Sequence, residues 1–259
     1  MTVAFVCRAV AGLQRRPETD SELLTQELLG HPVRVHSTRS GFARCSLRDG
    51  YTGWMPVSAL SLGGRYRATH FVRRRFAWIR GRQTGPVLVP MGCRIRVESP
   101  GTKLHVVELP DGRCGSAAAG ALGEIPKRGP VVPSDLRGIL HEVMGTPYLW
   151  GGKSTFGFDC SGLVQFIFDL IGVRLPRDSK DQAKSGMLVE DIGRLRPYDL
   201  VFFGTNGGID HVALHLGDLG ILHASGCVKV ESLDPLSPRF RSDLRRRYRL
   251  ARRLEHVQV

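Results

Sequence analysis

Hydrophobic residues along this chain follow two different rhythms. Up to about residue 122 they come in short alternating segments, PVRVH and FARCSL and later RIRVE and LHVVEL, separated by Gly, Asp and Ser. Period-two runs between turn residues predict β-strands. After residue 133 the rhythm changes. Leu136, Ile139, Leu140 and Val143 fall at i, i+3, i+4 and i+7 behind Ser134, an N-cap, and predict an amphipathic helix ending at Gly145. A second helix is predicted from near Cys160 through Leu163, Val164, Phe166, Ile167, Leu170 and Ile171 to Gly172, with an apolar face wide enough to lie in a core. Asp199 to Phe203, His211 to Leu216 and Ile221 to Ala224 then read as strands between glycine turns. Helices followed by an antiparallel sheet make this half α+β.

The strand-rich half repeats itself at a constant offset of 62 residues. Gly30 matches Gly92, Val33-Arg34-Val35 matches Ile95-Arg96-Val97, Leu47 matches Leu109, Asp49-Gly50 matches Asp111-Gly112, and Ala59-Leu60 matches Ala121-Leu122. Coincidence of apolar, turn and glycine positions over an ungapped run predicts a duplicated small all-β barrel. GEIPKRGPVVP, residues 123–133, carries three prolines and two glycines and reads as a linker. The expected boundaries are 1–62 and 63–125 for the two modules, 126–133 for the linker, and 134–259 for the α+β domain with a basic tail.

Composition narrows the partners. A chain of 259 residues with 42% hydrophobic and 24% charged residues is that of a folded globular protein, which excludes disorder and a membrane bundle. Lys and Arg outnumber Asp and Glu 37 to 24, a formal charge of +13. The excess lies in two runs, Arg65, Arg67, Arg73, Arg74, Arg75, Arg80 and Arg82, and Arg239, Arg241, Arg245, Arg246, Arg247, Arg249, Arg252 and Arg253. Such runs are read first as solvated faces and second as anion-binding surfaces; no nucleic-acid motif accompanies them. The six cysteines contain no C-x-x-C pair, so no zinc site or disulfide framework is expected. The opening MTVAFVCRAVAG lacks a basic n-region, and Leu163 to Val173 is too short to span a bilayer, so a cytoplasmic protein without membrane insertion is expected.

One cysteine has distinctive surroundings. Cys160, in GFDCSGLV, stands at the predicted start of a helix, where unsatisfied amides and partial positive charge lower a thiol pKa and can hold an oxyanion. A nucleophile needs a base, and His211 and His223 are the candidates on the following strands. His211, Ala213 and His215 share one strand face, so His215 is a rival base. His223 joins that face only if residues whose numbers sum to an even total pair across the hairpin. That requires an odd loop within Gly217–Gly220, such as three residues with a bulge; a plain two-residue turn would separate the histidines.

Taken together, PYLWGG at 147–152, GFDCSGLV at 157–164, LPRDSKDQ at 175–182, RPYDLVFF at 196–203, DHVALHLG at 210–217 and ILHA at 221–224 resemble the NlpC/P60 family of papain-like cysteine peptidases. The resemblance covers about residues 134–235. It implies Cys160 as nucleophile, His211 as general base and His223 as the polar residue orienting it, with Tyr148 joining the Cys160 amide at the oxyanion. The base that begins the family's HVxxxxG motif corresponds to His211 rather than His215. The duplicated modules resemble bacterial SH3 domains, so the expected fold is α+β: two SH3-like barrels, then a papain-like catalytic domain.

The family's usual reaction is hydrolysis of the amide joining the γ-carboxyl of D-glutamate to the diamino acid of murein stem peptides, without metal or cofactor. DSELLTQ at 20–26 and DGYTGWM at 49–55 look like the subgroup acting on murein tripeptides or tetrapeptides with a free N-terminal L-alanine. By that resemblance Tyr51, Glu22 (or Glu18) and Asp159 meet the substrate ammonium, whose desolvation carboxylates offset. Ser161 and Ser179 supply hydroxyls to the peptide. Asp159 also suits a helix N-cap, and Ser179 begins a capping-box-like Ser-x-x-Gln. The expected role is cytoplasmic recycling of cell-wall peptides. The alternatives are a murein hydrolase acting on the wall and an inactive SH3-based protein that binds wall polymer or anions. The identity of the diamino acid and the oligomeric state are not legible in the sequence.

Overall fold

The computed structural model describes residues 2–81, 85–125, 133–205 and 207–254. Contacts divide them into two compact units: one takes the strand-rich half together with Lys153–Phe156, the other the remainder. Most of the expected linker, residues 126–132, lies outside the described residues, as does Arg82 of the first basic run.

Among the described residues the first unit holds two antiparallel sheets of seven strands each with identical order. In the first module the strands are Thr2–Val6, Val10–Gln14, Leu23–Leu28, Pro32–Arg39, Phe42–Ser46, Thr52–Pro56 and Leu60–Leu62. In the second they are His70–Val72, Phe76–Gly81, Val87–Pro90, Arg94–Ser99, Leu104–Glu108, Cys114–Ala118 and Leu122–Glu124. The 62-residue offset holds from the fourth strand of each onward, through the short 3-10 turns Val57–Ala59 and Ala119–Ala121. It slips before that, because the first three strands of the second module begin farther along. The duplicated glycines are turn positions: Gly30 and Gly92 have φ of 78° and 87°. Gly30 is further constrained, since a Cβ there would lie 2.0 Å from the Arg94 carbonyl oxygen.

Alternating inward residues build each barrel's core; Ala4, Val6, Leu13, Val33, Cys45 and Met55 are among those of the first, with Tyr51 packed at its margin. Cys7, Cys45 and Cys93 are buried packing residues, whereas Cys114 is exposed. Lys153–Phe156 is held in this unit by bonds from the Lys153 amide and Ser154 hydroxyl to Gln26 Oε1 (3.0 and 3.1 Å). The Thr155 hydroxyl donates to the Arg75 carbonyl, and Phe156 stacks on Phe76. No periodicity in the sequence predicts that four-residue excursion.

In the second unit α1 spans Pro133–Val143, two residues earlier than the expected Ser134 cap allows. Proline suits a first helical turn because its missing N–H has no partner there. The second helix, α2, spans Cys160–Leu170, and every residue from Cys160 to Phe168 is buried. A short helix, α3, covers Ser179–Gln182. The sheet has six antiparallel strands in the order Met187–Val189, Tyr248–Arg253, Leu200–Phe203, His211–Gly217, Gly220–Ser225 and Cys227–Ser232.

The basic tail departs from expectation. Read from the sequence as a solvated or anion-binding run, it is built into the domain. It forms α4 at Ser242–Arg247 and then a strand inside the sheet. Its arginines are used internally: Arg247 pairs with Asp210, Arg253 with the buried Asp199, and Arg249 and Arg252 donate to the carbonyls of Gly204 and Ala183. Among the described residues no helix is long and apolar enough to cross a membrane.

Candidate active site

The site begins at the N-terminus of α2. Asp159 is the N-cap, extended at ψ 178°, and its Oδ1 accepts the Gly162 amide at 2.6 Å. Its Oδ2 accepts the Gly151 amide at 2.9 Å, and the Arg177 guanidinium binds both oxygens. Ser161 Oγ donates to Asp159 and accepts from Arg177 Nη1. The glycines of the two motifs allow this packing. A Cβ on Gly162 would lie 2.1 Å from the Gly152 carbonyl oxygen, and one on Gly152 would lie 2.4 Å from that of Gly157.

Cys160 is buried at 9% exposure, and its sulfur receives the backbone amides of Ser161 and Val212. The Val212 contact brings the thiol to the residue that follows His211. Helix-terminal amides were expected to lower the thiol pKa. Burial, seconded by the Asp159 carboxylate, outweighs those amides and Arg177, and the thiol is pushed up to about 11.

His211 and His223 are joined directly: His211 Nε2 and His223 Nδ1 are 2.8 Å apart, with the rings nearly perpendicular. Leu214 pairs with Leu222 and His215 with Ile221, so paired numbers sum to an even total. The mechanism differs from the expected odd loop. Asp218 and Leu219, both at positive φ, make a two-residue turn, and a bulge between His215 and Gly217 shifts the register. His215 is buried with Nδ1 on the Arg196 carbonyl at 2.8 Å, a structural histidine at the far end of the strand. Burial, with His223, Arg247 and Arg241 adding to it against Glu231, holds the His211 pKa down to about 3. At rest the pair is therefore a neutral thiol and a neutral imidazole.

Tyr148 is exposed at 38%, and its phenol pKa is raised by desolvation and then by the charges of Cys160 and Asp159. Ser179 is the first residue of α3 and Asp178 its N-cap. Gln182 does not close the expected capping box; its amide donates to the carbonyls of Ser161 and Pro176 at 3.0 and 2.9 Å. Asp159, proposed for a substrate ammonium, has both oxygens engaged by the cap and Arg177. In the first unit Glu22 accepts from Arg15 at 2.6 Å, Glu18 lies near Arg16, and the Tyr51 amide donates to Asp49.

Arg177, Glu231 and Arg241 join the site without having been given a role in it from sequence. Arg177 lies within the quoted LPRDSKDQ, but its buried partner Asp159 is 18 residues away, so no local signal marks it. Glu231 accepts from His223 Nε2 at 2.7 Å and from Arg241 Nη1 at 2.7 Å. Among the described residues no group of three His, Cys, Asp or Glu side chains is arranged to hold a metal ion.

A thiol at a helix N-terminus, amide-bonded to the strand that carries an imidazole, with a second polar ring behind that imidazole, is the arrangement of a papain-like thiol hydrolase. Residues 145–246 match the NlpC/P60 family model, and residues 13–60 match that of the bacterial dipeptidyl-peptidase SH3 domain. Dipeptidyl-peptidase 6 of Lysinibacillus sphaericus is 30% identical over 93% of this chain and 95% of its own. A γ-D-glutamyl-L-lysine dipeptidyl-peptidase of Bacillus cereus is 28% identical over 84% of this chain and 72% of its own. The crystal structure of an NlpC/P60 family protein from Bacillus cereus superposes with a TM-score of 0.84 at 25% identity, covering 99% of this chain and 100% of that one. The chain belongs to the NlpC/P60 family of cysteine peptidases, with SH3-like modules preceding the catalytic domain.

Proposed function

We propose that this enzyme hydrolyses the γ-D-glutamyl-diamino acid bond of murein stem peptides, with Cys160 as nucleophile and His211 as base. The observation that carries it is the His211–His223 bond on the strand whose next amide, that of Val212, meets the Cys160 sulfur. His211 Nε2 is taken by His223, so Nδ1 is the nitrogen left to accept the thiol proton. Proton transfer and attack on the γ-carbonyl proceed together, since a neutral resting pair stores no free thiolate. The Cys160 amide at the helix N-terminus and the Tyr148 hydroxyl receive the oxyanion. The imidazolium then protonates the departing amine, and a water activated by His211 releases the L-Ala-γ-D-Glu acyl group from the sulfur.

Support for the substrate comes from the relatives, two of which are named as dipeptidyl-peptidases, one of them acting at γ-D-glutamyl-L-lysine. Preference for a free N-terminal amine is assigned to Tyr51, Glu22 (or Glu18) and Asp159 on the strength of the sequence motifs, with the Ser161 and Ser179 hydroxyls serving the peptide. Asp159 also caps α2 and pairs with Arg177. A free-amine substrate is a trimmed fragment rather than intact wall, so the proposed role is recycling in the cytoplasm. Mass-spectrometric digestion of L-Ala-γ-D-Glu-diamino acid tripeptide and its N-acylated form, with wild type and Cys160→Ala, tests this. Cleavage of the free-amine peptide alone, lost in the variant, is expected; equal cleavage of both forms would remove the amine preference and favour a wall hydrolase.

A further inference from the structure

Behind His223 lies a chain of groups that the proposed chemistry has not used. His223 is 1% exposed, and its outer nitrogen, Nε2, meets Glu231 Oε2 at 2.7 Å. Arg241 Nη1 donates to both oxygens of Glu231, at 2.9 and 2.7 Å, and Arg241 Nε and Nη2 clasp Asp243, each at 2.8 Å. Lys229 reaches Glu231 Oε1 at 3.3 Å. The backbone fixes this tail in place, because the Arg241 amide donates to the Ser232 carbonyl and the Ser232 amide to that of Arg239.

We propose that Glu231 is a positioning residue that sets the tautomers of both histidines, and that Arg241 holds it in register. The inference rests on the assignment of Cys160 and His211 as nucleophile and base. The logic is one of donors and acceptors. An ionised carboxylate only accepts, so His223 Nε2 must carry a hydrogen. A neutral His223 then presents a bare Nδ1, which requires His211 Nε2 to donate. His211 is left with an unprotonated Nδ1, the form a general base needs. Were the polarity of this chain reversed, His211 Nδ1 would carry the hydrogen and could not take the thiol proton. Two histidines bonded only to each other have two polarities; Glu231 selects one.

Glu231 acts again when His211 is protonated. The imidazolium is faced by His223, Arg247 and Arg241, with Glu231 as the opposing anion. His223 in turn is faced by Glu231, Lys229 and Arg241. Burial by itself would raise the Glu231 pKa, but hydrogen bonds from Arg241 and His223 hold it below the ordinary carboxylate value, so it stays an acceptor.

The test is the rate of Cys160 alkylation by iodoacetamide against pH, followed by peptide mapping of the full chain. It is accompanied by ¹⁵N chemical shifts of histidine in the wild type. The shifts are expected to show both His223 and His211 hydrogenated at Nε2. Glu231→Ala is expected to slow alkylation near neutrality by about 10- to 100-fold, the usual scale for an outer orienting partner, and to move the midpoint to higher pH. Glu231→Gln retains an acceptor oxygen and is expected to recover part of the rate. His223 hydrogenated at Nδ1 in the wild type, or alkylation in Glu231→Ala within about twofold of wild type, would overturn the proposal. The shifts need no variant, so a Glu231→Ala chain that fails to fold leaves the decision intact. Alkylation needs no murein peptide, so an error in the substrate assignment does not disturb it. Insensitivity of alkylation to His211→Ala would instead remove the nucleophile–base pair on which the inference stands.

Discussion

The site is backed by two carboxylate–arginine pairs that differ in burial. Behind the nucleophile, Asp159 and Arg177 are sealed, with Arg177 only 2% exposed. Behind the base, Glu231 and Arg241 are wetter, with side chains 15% and 32% exposed. The same chemical pair therefore does different work. Asp159 caps α2, and its field raises the thiol pKa while that of Arg177 opposes the rise. Glu231 is an orienting anion whose field favours the imidazolium that catalysis creates. In the first pair the cost of separation is desolvation, and in the second it is misdirection of hydrogen bonds.

That contrast predicts the largest effect at Arg177. Arg177→Met strands a buried carboxylate and is expected to cost about 3–5 kcal/mol in urea unfolding. Adding Asp159→Asn should recover part of it, since the uncompensated charge goes too. If the single and double variants were equally destabilised, packing rather than charge would be what Arg177 provides. A smaller loss is expected from Gly162→Ala, where the new Cβ meets the Gly152 carbonyl oxygen at 2.1 Å. Backbone must move at the start of α2, at a cost of about 1–3 kcal/mol. Cys160 alkylation should fall in parallel with it, because the nucleophile lies two residues away.

The two neutral resting groups predict opposite pH slopes. His211 has a folded pKa of about 3 against the ordinary 6.5, so the unfolded chain binds the extra proton between them. Its contribution to stability is present above pH 6.5 and is lost as pH falls toward 3, at a slope of at most about 1.4 kcal/mol per pH unit. Cys160, raised from 9.0 to about 11, keeps its proton on folding, so its contribution is lost as pH rises through that range. His211→Gln should flatten the acid slope and Cys160→Ala the alkaline one, each measured by unfolding across the relevant window. An unchanged acid slope in His211→Gln would mean that His211 titrates normally in the folded state.

How far these features are legible in the sequence varies with where their partners lie. The start of α2 and the identity of Cys160 follow from local pattern, because cap, glycines and apolar face are neighbours in the chain. Strand parity for His211 and His223 reduces by counting to the loop within Gly217–Gly220, where a bulge was one of the devices that could realise it. Glu231 escapes because its strand, Cys227–Ser232, lies at the sheet edge and shows no clean alternation of burial. The arginines of the tail escape for a deeper reason. A run such as Arg245-Arg246-Arg247 has the composition of a solvated surface, and only tertiary pairing, of Arg247 with Asp210 and of Arg253, Arg249 and Arg252 with Asp199 and backbone carbonyls, reveals a short helix followed by a strand within the sheet. Helix-terminal position was likewise a correct guide to the place of Cys160 and a poor one to its resting protonation, since burial was invisible to it.

The smallest effect on stability is expected where the comparison is sharpest. Arg241→Met removes a partner from a carboxylate that water can still reach, and the unfolding free energy should change by only about 0.2–1 kcal/mol. Cys160 alkylation should nevertheless slow in the same direction as in Glu231→Ala, because a Glu231 no longer clasped from the tail holds His223 less firmly. Stability and reactivity are thus expected to separate at Arg241 and to fall together at Arg177. An Arg241→Met chain that loses several kcal/mol while its folded fraction alkylates normally would make both arginines structural, and the two pairs would then differ only in depth.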